Sequence, residues 1–100
     1  MTTAEYEAWV QSRCQGYTDV NYCIIALNGE AGEVAEWYKK HTLRGNPTGK
    51  KTEEDLKKEL GDVQFYLTRL ANLHGWTLSE IMEANKAKID ARVSRNVAVG

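Results

Sequence analysis

Four carboxylates stand out by type and spacing. Glu30 and Glu33 lie within Leu27-Asn28-Gly29-Glu30-Ala31-Gly32-Glu33-Val34-Ala35-Glu36-Trp37, and Glu59 and Asp62 repeat the spacing within Lys58-Glu59-Leu60-Gly61-Asp62-Val63. Residues three apart on a helix share a face, so each stretch, if helical, offers two oxygen donors in one direction. Two such helices side by side make one four-carboxylate pocket, and a divalent cation is the natural occupant.

The ordinary explanation for helical acids is a solvated face laced with i, i+4 ion pairs. It suits Glu36 with Lys40, Glu53 with Lys57 and Glu54 with Lys58. It does not suit the four acids, whose i+4 positions hold Val34, Trp37, Val63 and Tyr66. Only Asp62 has a local cation, Lys58, in the weaker orientation. Two like charges about 4 Å apart repel by ~4 kcal/mol at an effective dielectric of ~20, so such a cluster calls for a cation. Oxygen donors without cysteine or a well-placed histidine favour Mg²⁺, with Mn²⁺ able to substitute, over zinc. A di-iron carboxylate bundle requires Glu-x-x-His on two helices, and that motif is absent. Gly29, Gly32 and Gly61 sit among the acids. Glycine inside a helix is unfavourable by ~1 kcal/mol relative to alanine, so their presence suggests close approach of another helix.

The elements that must carry these residues are helical. Thr2 and Glu5 form a capping-box pattern, followed by Tyr6, Trp9, Val10 and Arg13 at helical spacing, with Gly16 as the stop. Asp19 or Asn21 caps a second helix from about Val20 to His41, with Cys23, Leu27, Ala31, Val34 and Tyr38 as its apolar stripe. Ala26, Glu30, Glu33 and Trp37 form the column beside that stripe. Residues 42–51 hold two glycines, the only proline, and Arg44, Lys50 and Lys51, which predicts a basic loop. Thr52 and the acids after it open a third helix, in which Leu56, Leu60, Val63, Leu67 and Leu70 face inward and Gly75 is the stop. Thr77 and Glu80 box the fourth helix. Leu78, Ile81, Met82 and Ile89 point inward, bordered by a polar stripe of Asn85, Lys88 and Arg92. Ser94 to Gly100 is a tail expected to fray. His41 and His74 read as helix-end residues rather than ligands.

Bulk properties bound the rest. One hundred residues make one domain, 1–100, with a modest core that partner subunits would reinforce. The net charge of −1 argues against a nucleic-acid polymer or a membrane surface as partner. The hydrophobic content of 42% argues against disorder. Cys14 and Cys23 lack metal or disulfide spacing and read as reduced core residues. No apolar run approaches the ~20 residues of a membrane span, and no secretory signal is visible. A cytoplasmic location, in a bacterium or a phage-infected host, is expected.

With these motifs in view, the chain resembles the all-α nucleoside triphosphate pyrophosphohydrolases of the MazG type, in the short single-domain form of bacterial and phage members. Their pattern is E-x-x-E, a spacer, then E-x-x-D, here Glu30-Ala31-Gly32-Glu33, residues 34–58, and Glu59-Leu60-Gly61-Asp62. Asn85-x-x-Lys88-x-x-x-Arg92 resembles the N-x-x-K-x-x-x-R of their last helix. The resemblance covers Tyr22 to Arg92. It implies a four-helix protomer assembling as a dimer or tetramer, with sites built partly across subunits. It implies Mg²⁺ on Glu30, Glu33, Glu59 and Asp62, and hydrolysis of an NTP or dNTP to monophosphate and pyrophosphate for nucleotide-pool control. A purine dNTP is favoured because the pyrimidine-specific dimeric dUTPases are less similar. Within that scheme Glu33 is the candidate general base, and Lys88 and Arg92 stabilise transferring charge. Asn85, Lys88, Arg92, Trp37 and the loop residues Lys50, Lys51 and Arg44 are candidates to contact substrate. Competing expectations are a phosphoribosyl-ATP pyrophosphohydrolase and a non-catalytic helical oligomer stabilised by metal.

Overall fold

The computed structural model describes residues 1–14, 16 and 19–94. Among them are α1 (Thr3–Arg13), α2 (Val20–Tyr38), α3 (Glu53–Leu73) and α4 (Leu78–Ser94), and no strand. A π-helical turn, Lys39–Leu43, continues α2 into the loop before α3. Residues 95–100, most of the tail expected to fray, lie outside the described set, as do Tyr17 and Thr18 of the first connection.

Local chemistry sets the helix starts. Thr2 and Glu5 exchange capping hydrogen bonds at 2.8 and 3.1 Å. Asp19, not Asn21, caps α2 by accepting from the Tyr22 amide at 2.8 Å. Thr52 and Asp55 box α3, and Thr77 and Glu80 box α4, where the Glu80 amide donates to Thr77 Oγ1 at 3.1 Å. Each device satisfies amides that a helix start leaves without partners. At the far ends, α1 stops at Arg13, ahead of Gly16, and His74 closes α3 with Gly75 following at φ +80°. That left-handed conformation suits glycine, as expected for a residue just past a helix end.

The central unit is the α2–α3 hairpin, the most extensive helix contact in the chain. Tyr22 meets Tyr66 near one end, Glu30 meets Glu59 and Asp62 at mid-length, and the Trp37 indole N–H donates to the Thr52 carbonyl at 2.9 Å near the other. Those pairings make the two helices antiparallel. α1 lies on α3, with Val10 fully buried and Trp9 edge-on to Phe65. α4 packs on α1 and α3, anchored where the Leu78 amide donates to the Glu7 carboxylate.

The core is thinner than the apolar stripes imply. Val10, Cys14, Cys23, Trp37, Thr68, Ala71 and Leu78 are buried, whereas Ala31, Tyr38, Leu60 and Met82, all expected inward, are exposed. Ile25 is 74% exposed beside Ile24 at 52%. An apolar cleft of about 300 Å³ runs between Leu27, Leu67, Leu70, Trp76 and Ile81. The Cα radius of gyration is 16.4 Å, against about 13 Å for a compact chain of this length. α4 extends beyond its anchored first turns, and the faces read as core are only partly covered within one protomer. The expected close approach at the glycines is also absent here: a Cβ built on Gly29, Gly32 or Gly61 meets nothing within 4 Å.

Candidate metal centre

The hairpin brings the two acidic motifs together. One carboxylate oxygen each from Glu30, Glu59 and Asp62 lies within 4.8 Å of the others. Glu30 comes from the middle of α2, and Glu59 and Asp62 from successive turns of α3, so antiparallel packing alone makes the meeting. Among the described residues none of the three makes an ion pair, and the salt bridges there are Glu36 with Lys39 and Lys40, Glu54 with Lys57, and Asp90 with Lys86. The ordinary explanation therefore holds for Glu36. Glu54 takes Lys57 rather than the expected Lys58, leaving Glu53 without Lys57.

Glu33, one turn beyond Glu30 on α2, is exposed and stands outside the three-carboxylate group. Its charge still reaches Glu30. Partial burial pushes the Glu30 carboxyl above its ordinary range, and the charges of Asp62, Glu59 and Glu33 add to that. The cluster holds more negative charge than its surroundings offset, and its donors are all carboxylate oxygens. Both properties fit a hard divalent cation of the Mg²⁺ type.

Tyr6 is a neighbour that the sequence did not reveal. Burial and the charge of Asp62 raise its phenol above the ordinary range, which puts α1 at the border of the acidic cluster. Only the tertiary packing of α1 on α3 signals this, since the two residues are remote in sequence.

The other candidates fall in different places. Trp37 is 5% exposed, stacked on His41 at 4.3 Å and 10°. With its N–H on Thr52, the ring is committed to the end of the hairpin within the protomer. Neither His41 nor His74, stacked on Trp76, joins a ligand group among the described residues. Cys14 and Cys23 are buried and free. Asn85 and Lys88 are exposed on α4 and Arg92 is half-buried, with no hydrogen bond or ion pair to the acids among the described residues. Lys51 and Arg44 line a separate basic cavity in the loop, and Lys50 is exposed beside it. At 1.5 Å per helical residue that cavity lies roughly 10–15 Å along the hairpin from the acids.

Comparison with known proteins bears on this geometry. The model of the MazG nucleotide pyrophosphohydrolase domain matches residues 20–96, which include both acidic motifs and the polar stripe of α4. The Gene 37 protein of Mycobacterium phage L5 is 37% identical over 90 residues, covering 87% of this chain and 77% of the phage protein. No solved structure matches the chain. The paired acids on an antiparallel helical hairpin, the extent of the family match and the phage relative lead to one conclusion: the chain belongs to the MazG nucleotide pyrophosphohydrolase family.

Proposed function

We propose that the chain, acting as one catalytic domain over residues 1–100, hydrolyses a deoxynucleoside triphosphate of the purine class to the monophosphate and pyrophosphate in a Mg²⁺-dependent reaction. The observation that carries this reading is the group of three carboxylates drawn together, with no ion pair to a lysine or arginine among the described residues. Glu30, Glu59 and Asp62 would hold the ion, with Glu33 one turn away. When bound, the ion would supply neutralisation of the anhydride's charge and acidification of nearby water.

The chain's own residues supply the rest. Glu33 is exposed and outside the tight group, so it is available to accept the proton of the attacking water. Water forms a bond to the α-phosphorus as the bond to the bridging oxygen breaks, and pyrophosphate leaves with those electrons. Lys88 and Arg92 are suited to offset charge on the phosphates, and Asn85 on the same stripe to hold sugar or phosphate by hydrogen bonds. Lys50 and Lys51 add positive charge at the loop end of the hairpin, roughly 10–15 Å from the acids.

The exposed Ile24 and Ile25, the exposed Tyr38 and Leu60 and the projecting α4 support a homodimer or homotetramer. In that assembly a partner's α4 delivers its Asn85, Lys88 and Arg92 to the acids, completing a site that one protomer leaves open. No helix among the described residues is long and apolar enough to cross a membrane; the role we assign the activity is cytoplasmic nucleotide-pool control. Assay of pyrophosphate release from each dNTP and NTP with Mg²⁺ tests the proposal and sorts the bases. Metal-dependent thermal stabilisation with no turnover of any nucleotide would instead identify a non-catalytic metal-binding oligomer.

A further inference from the structure

The loop joining α2 to α3 is a constructed element. α2 ends in a π turn, with the Arg44 amide bonded to the Lys39 carbonyl at 3.0 Å and the Asn46 amide to the Lys40 carbonyl at 2.9 Å. Isolated π turns mark functional positions more often than ordinary helix ends do. Gly45 and Asn46 follow at φ +73° and +52°. Left-handed backbone at a non-glycine residue persists where its surroundings hold it. Here the Asn46 side chain does so, donating to the Lys51 carbonyl at 3.0 Å and accepting from the Lys51 amide at 3.1 Å. The Trp37–Thr52 hydrogen bond pins the loop's exit against α2.

This ring encloses a cavity of about 210 Å³ lined by Lys40, Arg44, Asn46, Pro47, Thr48 and Lys51. Three basic residues contribute to its lining, and among the described residues no acidic residue does. Lys40 is shared with Glu36 at 3.5 Å, while Arg44 and Lys51 make no ion pair among the described residues. Side chains ending in a guanidinium, an ammonium and a hydroxyl, rooted around one small cavity, can turn those groups toward a tetrahedral oxyanion seated at its mouth. A single carboxylate offsets only one of these charges, whereas linked phosphates offset two or more.

We propose that this loop cavity is a second anion site, separate from the acidic cluster, that binds an oligophosphate of pyrophosphate size. The fixed backbone holds Arg44 and Lys51 in register, so binding depends on the shape of the loop as well as on its charge. The site needs no metal, and the acids of the hairpin do not contribute to it.

Calorimetric titration of the full chain with inorganic pyrophosphate, in buffer with EDTA so that the acids hold no metal, tests this directly. The expected result is saturable binding of one pyrophosphate per chain. Substituting Arg44→Gln with Lys51→Gln is expected to weaken it at least tenfold, and Glu59→Gln to leave it unchanged. Asn46→Gly keeps every charge and permits the same φ, yet loses the two bonds to Lys51, and is expected to weaken binding threefold or more. Circular dichroism confirms folding of each variant; should the double variant fail to fold, Arg44→Gln alone, with a fivefold loss, replaces it. The proposal is overturned if the parent protein shows no saturable binding, or if the loop substitutions leave it intact. It is equally overturned if Glu59→Gln abolishes binding, or if Asn46→Gly matches the parent, since net charge without a built cavity would then suffice.

Discussion

The acids of the hairpin and the polar stripe of α4 lie within the same family match, yet the protomer treats them differently. Glu30, Glu59 and Asp62 are assembled inside one chain by packing of α2 on α3. Asn85, Lys88 and Arg92 are held on a helix that packs on α1 and α3 and leaves them without a bond to the acids. The first half of the proposed machinery is intrinsic to the hairpin; the second half, on our proposal, comes from a neighbouring subunit. The difference teaches that a motif can be complete in sequence and divided in space.

The comparison breaks most sharply at the acids. Glu59→Gln or Asp62→Asn is expected to lower pyrophosphate release by more than about 100-fold, because each removes a charged donor aimed at the metal, while far-ultraviolet dichroism stays helical. Full activity in both variants would remove the metal assignment. Lys88→Ala and Arg92→Ala are expected to lose about 10- to 100-fold, the scale of a lost charge-stabilising contact. Mixing Glu59→Gln protomers with Arg92→Ala protomers sharpens the point. If α4 serves a partner's acids, random pairing in a dimer restores about a quarter of the parent activity; if each chain serves itself, mixing restores none.

Smaller effects probe the surfaces between. Ile25→Glu places a charge on the most exposed isoleucine. It is expected to shift the protein toward monomer in analytical ultracentrifugation, with activity falling in parallel. Val10→Ala, at a fully buried position, is expected to cost about 2 kcal/mol and roughly 10 °C of melting temperature. The least effect lies at Glu30. Its carboxyl is raised in the fold, so the folded state binds that proton more readily than the unfolded state does. Metal-free stability therefore declines as pH rises from the ordinary glutamate value through the raised native one, then levels. Glu30→Gln should flatten that decline and raise the metal-free melting temperature at neutral pH by about a few degrees, with loss of any Mg²⁺-induced stabilisation. The carboxyls of Glu5 and Asp55, lowered by their capping bonds, act in the opposite sense: their support is present above the ordinary carboxylate range and lost as pH falls through their lowered values.

The helix starts were legible because a capping box is local. Thr2 with Glu5, Thr52 with Asp55 and Thr77 with Glu80 need only three residues of chain to declare themselves. The meeting of Glu30 with Glu59 and Asp62 was legible because i, i+3 spacing survives whichever way the helices cross, whereas Glu33, read into the same pocket, stands outside the group. Burial was less legible. Tyr38, Leu60 and Met82 carry the period of a core face, but hydrophobic period reports a surface that seeks cover, and it does not say whether this chain or another supplies it. The glycines failed for a related reason: a helical glycine permits close approach of another element but does not require it, and within the protomer their faces are open. The π turn escaped because no residue spacing in the sequence marks an i, i+5 bond such as that from the Arg44 amide to the Lys39 carbonyl, and Tyr6 escaped because its neighbour Asp62 arrives only when α1 docks on α3.

The buried indole at the hairpin's end gives this protein an optical gauge. Trp9 and Trp76 are largely wet, at 43% and 49% exposure, so their emission belongs at long wavelength. Trp37 is buried, stacked on an imidazole and bonded to a backbone carbonyl, and is expected to contribute a distinct blue component. Replacing the two wet indoles with phenylalanine would leave a single chromophore whose colour reports whether the turn between the two longest helices is shut.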